Sequence, residues 1–178
     1  MNIEDIIKIK GMLINILKKN LNDFCQNYVL LDIESYEKFI EEIKNIVNKL
    51  ISIDIYLKKQ GKDQHLIINY FTDFKVNKIY CEKNTNFFFG NNKFFSISDK
   101  IIFNNEPNNE YYITDVNENK IYLNKNKFKT SKNKIVYVYR TIYNLLNNFP
   151  FTNNSDIDMI FSNKLFDILK KYCDDFIL

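Results

Sequence analysis

Apolar residues in the first 60 positions recur at three- and four-residue spacing. Ile3, Ile6, Ile7, Leu13, Ile16, Leu17, Leu21 and Phe24 form one row, which predicts an amphipathic helix capped by Asn2, with Glu4 and Asp5 in the first turn where the helix dipole favours negative charge. Gly11 interrupts this row. An interior glycine costs about 1 kcal/mol relative to alanine, so Gly11 marks either a close helix contact or a later start. Tyr36, Phe39, Ile40, Ile43, Ile46, Val47, Leu50 and the stretch 53–57 form a second row, capped by Asp32 or Ser35 and stopped by Gly61. The two rows predict an antiparallel helical hairpin over residues 1–61, joined through residues 26–34.

Beyond Gly61 the period changes. Residues 66–71, 76–81, 87–89, 94–97, 100–103, 110–115, 120–123 and 135–139 are short runs rich in Ile, Phe, Tyr and Val, separated by turn-forming segments around Gly90, Pro107 and Glu118. Six to eight strands at this spacing predict a small antiparallel β-barrel or strongly twisted sheet, of SH3-like or OB-like size, over residues 62–140. Helix returns over 141–178. A short segment ends at Pro150, and a capping-box-like start at Ser155 and Asp158 opens a final amphipathic helix through Ile157, Ile160, Phe161, Leu165, Ile168, Leu169, Tyr172, Cys173 and Phe176. The expected fold class is α+β, with the three segments forming one compact domain.

Composition adds a bias to this pattern. Among 178 residues there are 28 Asn, 27 Ile and 24 Lys, one Arg, and no Ala or Trp. The favoured residues have A/T-rich codons, which points to a very AT-rich genome: a virus or phage, a bacterium, an organelle or a protist. The net charge of +3 then reads mainly as a solvated lysine surface. Its distribution is uneven. No acid occurs from Asn119 to Ser155, where Lys120, Lys125, Lys127, Lys129, Lys132, Lys134 and Arg140 gather, whereas Asp156, Asp158, Asp174 and Asp175 make the last segment acidic.

Catalytic chemistry finds few of the residues it needs. His65 is the single histidine and reads as a surface-loop residue, so a histidine-based triad or a multi-histidine metal site is excluded. Three glycines cannot build a glycine-rich phosphate loop. Cys25, Cys81 and Cys173 match no zinc spacing and read as small buried hydrophobes in a reducing or indifferent compartment. Asp156 with Asp158 is explained by a helix start, and Glu41 with Glu42 by a helix surface. The expectation is a non-enzymatic protein without a cofactor or metal. No run of 18 apolar residues predicts a membrane span, and the acidic start does not match a secretion signal.

Two surfaces attract attention. Residues 120–140 interleave lysines with Tyr122, Phe128, Tyr137 and Tyr139, the general recipe for nucleic acid, with cations on phosphates and aromatics for stacking. In residues 86–95 a hairpin would put Phe87, Phe88, Phe89, Phe94 and Phe95 on both faces of a strand pair, and a barrel interior absorbs only one face. The other packs on the chain's own helices or on another molecule. The candidate interface therefore comprises these five phenylalanines with Lys125, Lys127, Phe128, Lys129, Lys132, Lys134, Arg140, Asp156 and Asp158.

With a helical hairpin, a small barrel containing segments such as Ser98-Asp99-Lys100-Ile101-Ile102-Phe103 and Tyr111-Tyr112-Ile113-Thr114-Asp115-Val116, and a closing amphipathic helix, the chain resembles in architecture the head-tail connector and adaptor proteins that form neck rings in tailed bacteriophages. That resemblance carries no motif and no residue role. It implies a virion structural protein and a homo-oligomeric ring with neighbours above and below; the basic segment adds the expectation of a non-specific DNA contact. Two other readings stay open: a nucleic-acid-binding small barrel, viral or ribosomal, and a subunit of an organellar or protist assembly.

Overall fold

The computed structural model describes residues 2–27, 33–62, 65–126, 131–147 and 155–176, with side chains outside 24–27, 33, 131–134 and 155–159. The chain forms two compact units, one from residues 1–70 and 159–178, the other from residues 71–158. The final helix is thus shared out mainly to the first unit, and the short helix after the last strand belongs to the second.

The first unit contains α1 (Ile3–Asn27), α2 (Ile33–Lys59), a single 3-10 turn at Ile67–Asn69, and most of α4 (Ser155–Asp174). Asn2 caps α1 as its position predicts, its Oδ1 accepting the Asp5 N–H at 2.8 Å. Gly11 is buried within a continuous helix, so the start is not delayed. α2 ends in a Schellman motif. Gly61 takes φ +78°, the Lys62 N–H reaches the Leu57 carbonyl at 2.9 Å, and the Gly61 N–H reaches that of Lys58 at 3.1 Å. Ile14, Leu17, Leu21, Ile40, Ile43, Val47 and Leu50 form the buried face of the two helices, joined by Phe161, Leu165 and Leu169 of α4. Phe39 meets Phe166 edge-on with centroids 6.2 Å apart, and the Tyr36 hydroxyl contacts Ser162 Oγ.

Among the described residues the second unit is a closed six-stranded barrel. Its strands are β1 (Phe71–Cys81), β2 (Phe87–Phe89), β3 (Lys100–Phe103), β4 (Tyr111–Asn117), β5 (Lys120–Leu123) and β6 (Ser131–Thr141), followed by α3 (Ile142–Asn147). All neighbouring strands are antiparallel, in the order β1-β2-β5-β4-β3-β6, with β6 returning to β1. Closure leaves no bare strand edge, which suits a chain so rich in β-forming residues. The long pair β1 and β6 runs in register from Phe71 opposite Thr141 to Val76 opposite Val136, then shifts between Val76 and Tyr80. Lys78 in that shift adopts φ +61°. The bulge bends β1 so that its end pairs with β2 instead of continuing flat.

Side chains alternate across each strand. Val76, Ile79, Cys81, Phe88, Ile101, Phe103, Tyr111, Ile113, Ile121, Leu123, Val136 and Val138 fill the interior, with Phe95 from a loop. The centre is aromatic. Phe88 meets Phe95 and Phe103 edge-on at 5.1 and 5.5 Å, and Phe103 meets Tyr111 at 5.4 Å. The buried Tyr111 hydroxyl donates to Glu106 Oε1 at 3.2 Å, which satisfies a polar tip that would otherwise be stranded.

Two runs read as strands differ. Residues 66–71 hold the 3-10 turn Ile67–Asn69, with only Phe71 in β1, and Asp54 accepts the Ile67 N–H at 2.7 Å. Residues 94–97 leave a second 3-10 turn, Asn92–Phe94, capped by the Asn91 side chain on the Lys93 N–H. The expected hairpin of residues 86–95 is therefore absent. β2 pairs instead with β1 and β5.

Candidate functional site

The polar and aromatic groups that stand out lie in three places. The first is the outer corner of the barrel where β1, β2 and β5 meet. Phe88 points inward, so its neighbours Phe87 and Phe89 point outward, and the register sets Phe87 opposite Tyr122 and Phe89 opposite Lys120. Tyr80, opposite Phe89 on β1, completes a line of rings. Tyr80 stacks on Phe89 at 6.3 Å with planes 23° apart, Phe89 meets Phe87 at 5.7 Å, and Phe87 meets Tyr122 at 6.0 Å. The Lys120 ammonium lies 4.1 Å from the Phe87 centroid and 5.3 Å from that of Tyr122, a cation–π arrangement on an exposed face.

At the Tyr80–Phe89 end this line borders an open groove of about 620 Å³, lined by Lys78, Tyr80, Phe89, Gly90, Asn91, Asn92, Lys93 and Asn119. Its floor is tied down by backbone. The Gly90 N–H donates to the Asn119 carbonyl at 3.0 Å, and Asn91 and Asn119 side chains accept from the Lys93 and Asn92 N–H groups. Gly90 is required by packing, since a Cβ there would stand 2.9 Å from the Phe95 ring. No carboxylate is among the lining residues. Glu82 accepts the Tyr80 hydroxyl at 2.5 Å and holds that phenol above its ordinary pKa.

The second place is inside the barrel unit. Arg140 is buried. Its Nε donates to Asp99 Oδ1 at 2.9 Å and a terminal nitrogen to Oδ2 at 2.8 Å and to the Phe94 carbonyl at 3.2 Å. Asn144 of α3 and the Ser96 N–H also donate to Asp99, at 2.8 and 2.9 Å. Burial pushes the Asp99 carboxyl up from its ordinary value, against the pull of Arg140 and these donors. Sequence reasoning put Arg140 on a basic surface; the guanidinium instead ties β6 to the loop before β3, and Asp99 and Asn144 were not singled out.

The third place is in the helical unit. Lys10 and Asp54, both buried, pair at 2.7 Å, and Lys10 also donates to the His65 carbonyl at 2.8 Å. Asp54 accepts the Tyr172 hydroxyl at 3.2 Å. His65, expected in a surface loop, is only partly exposed and stacks on Tyr172 at 4.3 Å with planes 9° apart. Its Nε2 lies 2.5 Å from the Tyr172 carbonyl, while Nδ1 has no hydrogen-bond partner among the described residues. Burial lowers the His65 pKa. Beside it Tyr70 donates to Asp175 at 2.8 Å.

The remaining candidates separate. Phe88 and Phe95 are core and unavailable to a partner, and Phe94 is partly buried against that core. Their removal from the surface follows from the missing hairpin. Phe87 and Phe89 alone of the five face outward. Lys125 is exposed, its ammonium 5.0 Å from the Tyr111 centroid. Lys127, Phe128 and Lys129 lie outside the described residues. Lys132 and Lys134 belong to β6, and Asp156 and Asp158 to the start of α4, with side chains outside the described set. Tyr137 and Tyr139 do face outward, with Lys75 and Lys100 over their rings at 5.7 and 4.8 Å; Glu110 pairs with Lys100 at 3.6 Å and Asp73 lies opposite Tyr139, which balances the charge of that face.

Cys81 and Cys173 are buried thiols, and burial pushes Cys173 up to about 12. Among the described residues no group of His, Cys, Asp and Glu is arranged to hold a metal ion, and no helix is long and apolar enough to cross a membrane. No family model matches the chain, and no curated protein or solved structure is significantly similar to it.

Proposed function

We propose that the protein is a non-enzymatic assembly subunit of a viral particle, with a head-tail connector or neck ring of a tailed phage as its form and the virion as its location. The observation that carries an assembly role is a second apolar row on α1. Ile14, Leu17 and Leu21 are buried, yet Ile9, Met12 and Ile16, three and four residues apart on another face, are 37%, 64% and 50% exposed. A helix with apolar rows on two faces is suited to two packing partners. The codon bias toward Asn, Ile and Lys fits an AT-rich viral genome, as it fits an AT-rich bacterium, organelle or protist.

The test is mass in solution by light scattering. Wild-type chain is expected as an oligomer, and Met12→Glu with Ile16→Glu as a folded monomer with unchanged circular dichroism. A wild-type monomer at high micromolar concentration overturns the reading.

A further inference from the structure

We propose that the groove at the β1, β2 and β5 corner binds single-stranded nucleic acid. Three kinds of group meet there. Phe89 is 43% exposed and stacked with Tyr80, next to the half-buried Phe87 and Tyr122, so the Phe89 ring is the one most offered to solvent. Lys78 and Lys93, both exposed, border the same groove, with Lys120 beside it on β5. Asn91, Asn92 and Asn119 supply amides at its floor.

Rings, ammonium groups and amides match the three parts of a nucleotide. Exposed aromatics stack on bases of any sequence, lysines neutralise phosphates, and asparagine amides meet base edges. A duplex hides the base faces, so an exposed ring backed by its half-buried neighbours selects a single strand. Acidic peptide shares the lysines but leaves the rings without a partner, and the absence of a lining carboxylate favours an anionic ligand over a cationic one. The left-handed backbone of Lys78 belongs to the bulge that closes the barrel, so the fold fixes one of the cations at the groove. The surface is distinct from the apolar row of α1. Binding and assembly therefore fail separately.

The experiment uses the full chain with fluorescein-labelled oligo(dT) and oligo(U) 20-mers, read by anisotropy from 50 to 200 mM salt, with oligomer mass followed in parallel. Expected is binding whose logarithmic salt slope is about −0.7 per phosphate contacted. Phe89→Ala weakens it about tenfold or more. Lys78→Asn with Lys93→Gln, which keeps a residue tolerant of positive φ at 78, weakens it and reduces the slope by about 1.4. Tyr112→Ala, exposed on β4, leaves binding unchanged, and circular dichroism verifies that each variant is folded. Preference for oligo(dT) or oligo(U) assigns the strand as DNA or RNA. No binding at 50 mM salt overturns the proposal, as does binding that survives both sets of groove substitutions. Equal affinity for a duplex of the same length, or for polyglutamate, reduces the surface to charge attraction and also overturns it.

Discussion

Arg140 holds Asp99 through two parallel hydrogen bonds, from Nε at 2.9 Å and from a terminal nitrogen at 2.8 Å, with both side chains buried. The fork geometry explains why this position is the single arginine beside 24 lysines, since a lysine ammonium cannot make the paired contact. A buried pair adds little over a well-packed apolar substitute, but breaking it leaves one charge uncompensated.

Arg140→Ala is therefore expected to destabilise the barrel unit by about 3 to 5 kcal/mol, and Arg140→Lys to cost part of that. Replacing both partners, Arg140→Met with Asp99→Leu, should recover only part of the loss, because Asn144 and the Ser96 N–H lose their acceptor. Urea unfolding measures all three. A loss under about 1 kcal/mol for Arg140→Ala, the range of an exposed pair, would contradict the burial of this network.

His65 gives a pH dependence with a defined sign. Burial lowers its folded-state pKa, and Lys10 lowers it further, while the Tyr172 carbonyl, Asp54 and Asp175 oppose the shift. The unfolded chain takes up a proton near pH 6.5, before the folded chain does. Stability is thus fully present above that pH and declines as pH falls toward the folded-state value. The thermal midpoint should drop between pH 7 and 5.5, and His65→Gln should flatten the drop. With one histidine in the chain, a single imidazole NMR signal reports the titration directly; a midpoint at or above 6.5 would defeat the prediction.

Phe88 and Phe89 are adjacent and should behave oppositely. Phe88→Ala empties an aromatic site at the barrel centre and is expected to cost about 3 to 5 kcal/mol, whereas Phe89→Ala, on the outer face, should stay within about 0.5 kcal/mol. Gly90→Ala forces a methyl against Phe95 and should cost about 1 to 3 kcal/mol. Chemical denaturation orders the three. Similar losses for Phe88 and Phe89 would mean that β2 is turned or packed differently.

Much of the fold was legible because periodicity is a local signal. The capped start of α1, the end of α2 at Gly61 and the strands around Tyr111 to Leu123 follow from spacing and turn residues alone. Residues 94–97 misled because Phe94 and Phe95 look like strand residues, yet the Asn91 cap winds the chain into a turn that drops Phe95 into the core. Apart from Phe71, β1 read as a strand only over residues 76–81, because Thr72, Asp73 and Lys75 dilute the alternation of its first half and a bulge breaks its period. The buried polar groups were least legible. Lys10 on an apolar helix row and the isolated arginine at 140 were visible signals, but their partners Asp54 and Asp99 are fixed only by tertiary contact. The groove needed the true pairing of β2, which no spacing rule supplies.

The helical unit draws on residues from both sides of the barrel, and this orders events on the ribosome. α1 and α2 are made before the barrel and α4, yet Asp54 lacks the Tyr172 hydroxyl and His65 lacks its stacking ring until α4 has been synthesised. Residues 71–141 contain every strand among the described residues and can close into the barrel while those helices wait. The nascent hairpin, with its core-facing row still uncovered, is then open to chaperones and proteases, and synthesis of α4 covers that row while Ile9, Met12 and Ile16 stay exposed for an assembly partner to bury.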